Sequence, residues 1–327
     1  MMSQHEEDFI AQSRRINDFC LGYGCFFETA WMRGFETSRI DAYISDPARS
    51  AEPRELVYKT INDWFTAMEY HPFERAHFIY RAQQTPKIRE VSHYLDRGLI
   101  HYFKGDFFSA ASVLIPAVEG LVRLYLNGAN LIGTKLIDAI QKINVVIPHS
   151  HYHDRHAMYV AFLVRWLKDW FFSHTTSPQL GTIPSNLNRN NVLHLFDSRP
   201  FYRPADCNRI FSFFDIALEV LTIEEPVCEK FLSYPAANIP EVNSRQEYFT
   251  GLMLPWSPWR AIRNSEETRF MAANPAYESS DVPDWVGLNA ALQEEMEAEL
   301  KAMLAGHEPS MDPLPPNPIT KDSPPPS

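Results

Sequence analysis

The sequence predicts an all-α protein built around an antiparallel helical bundle. Apolar residues recur at helical spacing in long stretches, and residues 86–225 contain no convincing alternation of apolar and polar residues that would indicate strands. Glycine and proline fall between the periodic stretches, where helices normally end. At 327 residues the chain is long enough to bury a real core. We expect a helical N-terminal extension before the bundle and an irregular, proline-rich segment after it.

The N-terminal region, residues 1–85, is predicted to be helical. Its apolar spacing is interrupted near Gly22 and Gly24, and Pro72 breaks a helix. The predicted elements are helices over 5–34, 54–69 and 72–83, with a polar loop over 42–53.

Residues 86–225 are predicted to form the bundle itself. Gly105 and Asp106 indicate a helix end followed by the N-cap of the next helix. Pro116 lies inside that next helix and removes one backbone donor from it. The predicted helices cover 86–104, 107–126, 135–145, 152–173, a motif helix between the loop 175–185 and Pro200, and 206–222.

Beyond Pro226 the composition changes, because prolines punctuate a segment with few long periodic runs. We therefore expect residues 226–305 to be irregular apart from a final acidic helix over 286–304. Residues 306–327 contain eight prolines and are predicted to be a disordered tail.

The net charge of the chain limits the classes of partner that it can bind. A net charge of −11 and a pI near 5.6 disfavour a nonspecific nucleic-acid binder, which needs a basic surface. The acidic excess is uneven, since residues 86–225 hold 14 basic and 13 acidic residues whereas 226–327 hold 7 and 15. Local engagement of RNA by the bundle therefore stays compatible with the composition.

Cysteine usage and hydropathy indicate a soluble, cytoplasmic protein without a membrane partner. The four cysteines form no C-x-x-C pair and are predicted to be reduced thiols. The first fifteen residues are polar, and no run approaches eighteen apolar residues.

The strongest chemical signal is an arginine placed five residues before a histidine, Arg189 and His194. A guanidinium fork can grip a phosphate through two hydrogen bonds, and a histidine exchanges protons near neutral pH. Asn190 and His194 share one helix face as i,i+4 neighbours, while Arg189 lies beside that face. Arg189 must therefore reach round the helix or act on a second copy of the chain.

A second segment accompanies this motif: Ile115-Pro116-Ala117-Val118-Glu119-Gly120-Leu121-Val122-Arg123. Together the two segments, within residues 86–222, resemble the HEPN superfamily. They are most similar to the bacterial group with a P-x-x-E-x-x-x-R helix and an N-R-x-x-x-L-H helix. The resemblance implies a four-helix core that forms a homodimer. It also implies a metal-independent endoribonuclease, without cofactor, of defence or toxin systems.

The resemblance assigns a role to each matching residue. Arg189 would clamp the phosphate, His194 would act as general acid or base, and Asn190 would orient the phosphate or the ring. Glu119 and Arg123 would hold the motif in place. The expected chemistry is attack by a ribose 2′-hydroxyl, leaving a cyclic phosphate and a 5′-hydroxyl. The expected partners are an RNA substrate, a second copy of the chain and a partner protein that restrains the activity or belongs to a defence system.

Two alternatives remain open at this stage. The motif residues would be structural in a catalytically silent HEPN-type module that dimerises and binds a partner protein or nucleic acid. Glu119 and Arg123 would then form an ordinary intrahelical ion pair.

A further cluster consists of His149, His151, His153 and His156. Alternating histidines can chelate zinc, but a site needs three or four converging ligands, and no cysteine is nearby. A solvated loop leading into a helix accounts for the cluster better, so we predict no metal site.

Overall fold

The computed structural model describes residues 4–29, 34–69, 71–128, 130–142, 145, 147–148, 152–172, 204–231, 239–254, 257–273 and 294. Within these ranges every regular element is helical, which confirms the all-α class. The helices are α1 (Gln4–Leu21), α2 (Gly34–Ser45), α3 (Arg54–Glu69), α4 (Pro72–Gln84), α5 (Ser92–Phe103), α6 (Phe107–Tyr125), α7 (Thr134–Gln141), α8 (His153–Trp166), α9 (Pro204–Glu224), α10 (Pro240–Met253) and α11 (Pro258–Ala273). Short 3-10 helices cover Pro47–Ala51, Ile88–Val91 and Pro226–Phe231, and a π-helical turn covers Leu167–Phe171.

Helix α9 is the centre of the fold. Its residues are buried on every side, and it packs against α3, α4, α6 and α8. Aromatic side chains such as Phe211 and Phe213 fill the space between α9 and its neighbours. A helix buried all round is expected at the core of a bundle of this size.

The polar residues on α9 are matched by partners from the surrounding helices. Arg75 of α4 donates from Nη1 to both carboxylate oxygens of Asp215, at 3.1 and 3.0 Å. Nearly two turns further along α4 and one turn further along α9, Arg81 donates to Glu219 at 2.8 Å. Removing one partner of such a buried pair leaves a charge without compensation, at a cost of about 3–5 kcal/mol. These two pairs therefore fix the register of α4 along α9.

Helices α5 and α6 form a tight antiparallel pair. A Cβ at Gly98 would lie 2.5 Å from Leu114 Cδ2, so a side chain there would force Leu114 to move. The connection follows the predicted chemistry: Gly105 has a φ of +78°, and the Asp106 carboxylate accepts from Ser109 N at 3.1 Å as an N-cap. The predicted helix end and N-cap are confirmed.

Three predicted boundaries were wrong. The helix predicted over 5–34 ends at Leu21, where the interruption near Gly22 and Gly24 was predicted, but residues 25–29 do not resume it. The predicted loop over 42–53 contains the end of α2 and a 3-10 helix capped by Asp46, whose carboxylate accepts from Ala48 N. The predicted helix over 86–104 begins instead with a tight turn and a 3-10 helix, and α5 starts at Ser92.

The irregular segment predicted after Pro226 is also corrected, because residues 240–273 contain two helices. Pro240 and Pro258 are the first residues of α10 and α11. Proline is well suited to this position, since its missing N–H would have no intrahelical partner there. By contrast, the predicted helix over 286–304 and tail over 306–327 lie outside the described residues except for Glu294. Residues 1–283 form one compact unit and residues 284–327 a second.

One described helix, α6, is long and apolar enough to span a membrane. Half of its most apolar window is buried inside the fold, where it packs against α5 and α9. Its hydropathy is consistent with the core helix of a soluble protein.

Candidate functional site

The predicted catalytic residues Arg189, Asn190 and His194 lie in the segment 173–203, which is outside the described residues. Their mutual placement therefore stays a prediction. The structure does describe the elements on both sides of this motif segment, namely the π-helical turn that ends at Phe171 and helix α9 that begins at Pro204. The contacts that hold these two elements determine the two positions that the motif segment connects.

The element before the motif segment is bound to the turn that follows α1. Trp166 Nε1 donates to the carbonyl of Gly24, and Trp170 Nε1 donates to the carbonyl of Leu21, both at 3.0 Å. Trp166 is fully buried, and its ring contacts Phe26 edge-on and Phe171 in a stacked arrangement. Two indole donors and this packing hold the end of α8 on the turn Leu21–Cys25.

Two local backbone features make this contact specific. The last residues of the element form a π-helical turn, closed by a bond from Phe172 N to Leu167 O at 2.8 Å. Such turns occur mostly as single insertions and often lie near functional sites. Gly24 has a φ of +74°, and a Cβ there would lie 2.8 Å from Trp170 Cδ2. A side chain at this position would displace the Trp170 ring.

The element after the motif segment is bound to the same turn. Arg209, on the second turn of α9, donates from Nη2 to the carbonyl of Tyr23 at 3.1 Å. Its guanidinium is 2% exposed, lies 5.0 Å from the centre of the Tyr58 ring and has Asp206 Oδ1 at 3.8 Å. The turn Leu21–Cys25 therefore receives donors from both sides of the motif segment, and we call it the anchoring turn.

Burial keeps the thiol and phenol groups around the anchoring turn protonated, so they are poor nucleophiles. Desolvation raises the pKa of the Cys20 and Cys25 thiols, so both stay protonated at neutral pH. Burial likewise raises the pKa of Tyr58 to about 12. All four cysteines are free and buried, which confirms the prediction of reduced thiols.

The predicted supporting pair, Glu119 and Arg123, lies on α6. Arg123 Nη2 donates to Glu119 Oε1 at 2.7 Å, and the two side chains are 31% and 16% exposed. This geometry agrees with the intrahelical ion pair expected for i,i+4 neighbours. Whether the pair also holds the motif stays a prediction.

A polar cluster that sequence reasoning missed surrounds the carboxylate of Glu224 at the end of α9. Tyr125 Oη donates to Glu224 Oε1 at 2.6 Å, and His156 Nε2 lies 2.9 Å from the same oxygen. Lys87 Nζ lies 3.7 Å from Oε2 and 5.1 Å from the centre of the Tyr125 ring. Burial and the neighbouring carboxylate raise the pKa of Tyr125, so its hydroxyl remains a donor. The cluster joins α6, α8 and α9 at one end of the bundle.

Lys87 reaches this cluster from a strained backbone. Its φ is +64° and its ψ is −60°, and Ile88 N donates to Pro86 O at 2.8 Å. This is a γ-turn of the rare kind with positive φ. A conformation of this type costs of order 1–3 kcal/mol and persists only when its surroundings hold it. The chain reverses direction here, which is why the helix predicted from residue 86 does not form.

The histidine cluster divides between two environments. His156 belongs to the Glu224 cluster, whereas His153 is exposed beside Asp154. The other two histidines, at positions 149 and 151, lie outside the described residues. Among the residues that the structure describes, no group of three His, Cys, Asp or Glu side chains is arranged to hold a metal ion.

Comparison with known proteins adds no relative. Neither the protein-family models nor the curated proteins nor the solved structures contain a match to this chain.

Proposed function

We propose that this protein is a metal-independent endoribonuclease of the HEPN type. The observation that carries the proposal is the Arg189-Asn190-x-x-x-His194 motif, preceded at the expected distance by the Glu119 and Arg123 helix. The described fold supports it in one respect: the supporting segment does form a helix, α6, which packs on α9. The proposal includes the RNA substrate and the cytoplasmic location expected from the sequence.

The proposed reaction is an intramolecular transesterification. The ribose 2′-hydroxyl loses its proton and its oxygen bonds to the neighbouring phosphorus, while the bond from phosphorus to the 5′-oxygen breaks and that oxygen gains a proton. The products are a 2′,3′-cyclic phosphate and a 5′-hydroxyl, so atoms and charge balance without water or metal. His194 would take or give a proton in this step, which contributes roughly 10²–10⁴-fold. Arg189 would stabilise the charge that develops on the phosphorus-bound oxygens, with Asn190 orienting the group.

The anchoring turn gives the motif segment a fixed base. Trp166, Trp170 and Arg209 tie both of its flanking elements to three carbonyls of this turn, those of Gly24, Leu21 and Tyr23. A segment of about thirty residues whose two ends are held together loses less conformational entropy on adopting one conformation than a segment with free ends. Positioning within a fraction of an ångström is what general acid–base chemistry requires.

Because the sequence predicts that Arg189 lies beside the face shared by Asn190 and His194, we propose that the active form is a homodimer in which one subunit's arginine serves its partner's histidine. A protein partner that covers this shared site would restrain the activity.

The test is RNA cleavage by the purified protein in the presence of EDTA. We expect nicked RNA ending in cyclic phosphate, and loss of at least a hundredfold in rate for Arg189→Ala and for His194→Ala. Arg199→Ala is the matched control, since it removes a guanidinium from the same segment. If both motif variants cleave RNA at the parental rate and unfold at the parental temperature, the proposed catalytic role of the motif is rejected.

A catalytically silent binding module is the second candidate, and one observation favours it. Trp259 and Ile262 on α11 are 45% and 48% exposed, and Tyr248 on α10 is 51% exposed. Large apolar side chains exposed close together in sequence are typical of protein contacts. This function predicts no cleavage by the parent protein, together with weaker partner capture by Trp259→Ser.

A further inference from the structure

A cavity of about 390 Å³ opens beside the anchoring turn. Phe19 and Tyr23 line it from the end of α1, Ile44 lines it from α2, and Arg49 and Arg54 line it from the following segment. This volume falls within the range of small-ligand sites, roughly 300–1,000 Å³. The cavity therefore has room for one small molecule.

The cavity combines aromatic rings with a guanidinium. The Phe19 and Tyr23 rings are 5.5 Å apart between centroids, and both side chains are partly exposed. The Arg54 guanidinium lies 5.0 Å from the centre of the Tyr23 ring. Aromatic rings and arginine planes are the surfaces on which unpaired nucleobases stack.

Arg54 keeps hydrogen-bonding capacity for a ligand. Its Nη2 donates to the carbonyl of Gly22 at 2.6 Å, which fixes the direction of the guanidinium. Within the described ranges no carboxylate pairs with Arg54. A guanidinium carries five N–H donors, so a fork remains that suits a phosphate.

The acidic groups at the cavity are already engaged. Glu52 accepts from Tyr43 Oη at 2.9 Å and pairs with Arg49. Asp46 accepts from Ala48 N at 2.9 Å as the cap of the 3-10 helix. These bonds direct the carboxylates to internal donors, which leaves Arg54 as the cation available to an anionic ligand.

Tyr23 belongs to both the cavity and the anchoring turn. Its ring lines the cavity, while its backbone carbonyl accepts the bond from Arg209. The cavity is thus adjacent to the turn on which the elements flanking the motif segment are held. We propose that it is a ribonucleotide subsite, in which a nucleobase stacks on the Phe19 and Tyr23 side and its phosphate meets Arg54.

This subsite rests on the proposed ribonuclease function for its biological meaning, but its binding is measured separately. The probes are 5′-AMP, adenosine and ribose 5-phosphate, titrated calorimetrically into the full chain. We expect 5′-AMP to bind, and the two fragments that lack phosphate or base to bind at least about fivefold more weakly.

The variant Arg54→Met removes the fork and keeps an unbranched side chain at an exposed position. We expect it to weaken 5′-AMP binding by about tenfold or more, because hydrogen bonds to charged groups are the stronger ones. Arg89→Met, at an exposed arginine of the 3-10 helix Ile88–Val91, is the matched control and should bind like the parent.

Two outcomes overturn the subsite: no binding of 5′-AMP at millimolar concentration, or equal binding by the parent and Arg54→Met. A double variant, Arg189→Ala with His194→Ala, separates the two proposals. If the double variant retains 5′-AMP binding, the binding does not depend on the motif. If, in addition, the parent cleaves no RNA, the subsite stands and the ribonuclease proposal fails. If the parent cleaves RNA and binds no 5′-AMP, the reverse holds.

Discussion

Gly24 is the residue at which the anchoring turn meets α8, and its role is testable against a second glycine. Gly24 and Gly128 both have a φ of +74°, but only Gly24 has a neighbour within 4 Å of the position a Cβ would take. Alanine at either site incurs the left-handed backbone penalty of roughly 1–2 kcal/mol. At Gly24 the clash with Trp170 adds about 1–3 kcal/mol.

We therefore expect Gly24→Ala to lower the free energy of unfolding in urea clearly more than Gly128→Ala does. Equal losses in the two variants would show that the Trp170 contact does not constrain the turn.

His77, on α4, makes the stability of the protein sensitive to mild acid. Burial, and then the nearby Arg81, lower the pKa of His77 to about 4. The unfolded chain binds a proton near pH 6.5, whereas the folded chain does not until about pH 4. The contribution of His77 to the free energy of unfolding is therefore fully present above pH 6.5 and is lost as the pH falls toward 4.

Between pH 7 and pH 4.5 we expect the parent to lose on the order of 1–2 kcal/mol more unfolding free energy than His77→Leu. Urea unfolding at several pH values measures this difference. His93→Leu, at an exposed histidine, is the control and should follow the parent. Parallel pH curves for the parent and His77→Leu would refute the assignment.

At the scale of elements, the buried ion pairs between α4 and α9 set how these helices align. Arg81→Met should destabilise the protein by about 3–5 kcal/mol, because Glu219 would keep a buried charge. The double variant Arg81→Met with Glu219→Leu should recover most of that loss, since no charge is then left unpaired.

The exposed pair Arg165 and Asp18, 44% and 63% exposed, supplies the comparison. Arg165→Met should cost less than about 1 kcal/mol. If the double variant at Arg81 and Glu219 were as unstable as the single one, the unpaired charge of Glu219 would not be the cause of the loss.

Local patterns in the sequence predicted most helices but not their exact ends. The Gly105 and Asp106 boundary followed from side chains that act on their own backbone, and it is present as predicted. The turn at Lys87 was missed because its side chain contacts Tyr125 and Glu224, which are distant in sequence. Pro240 and Pro258 were misread as breaks, although proline both ends and begins helices.

The candidate site divides in the same way. The motif at Arg189 and His194 is a local pattern, so it could be found from sequence. The anchoring turn depends on hydrogen bonds between residues more than 140 positions apart, such as Trp166 to Gly24. An isolated tryptophan in an apolar stripe carries no signal of where its indole N–H will bind.

At the scale of the whole molecule, the fold joins helices from both ends of the compact unit. Helix α10 packs against α4 and α5, and α9 packs against α3 from the N-terminal region. The bundle predicted over 86–225 therefore shares its core with flanking helices. Phe103 of α5 packs against the ring of Phe249 of α10. We therefore expect removal of residues 239–327 to expose Phe103, and to lower solubility and thermal stability together.

The central claim is that Arg189 of one subunit and His194 of its partner form one RNA-cleaving site. The measurement is RNA cleavage in EDTA by Arg189→Ala, by His194→Ala, and by the two variants refolded together. Each variant alone should be inactive, and the mixture should recover about a quarter of the parental activity, because about half of the dimers then contain one complete site of two. A mixture as inactive as its components, beside an active parent, would contradict the shared site.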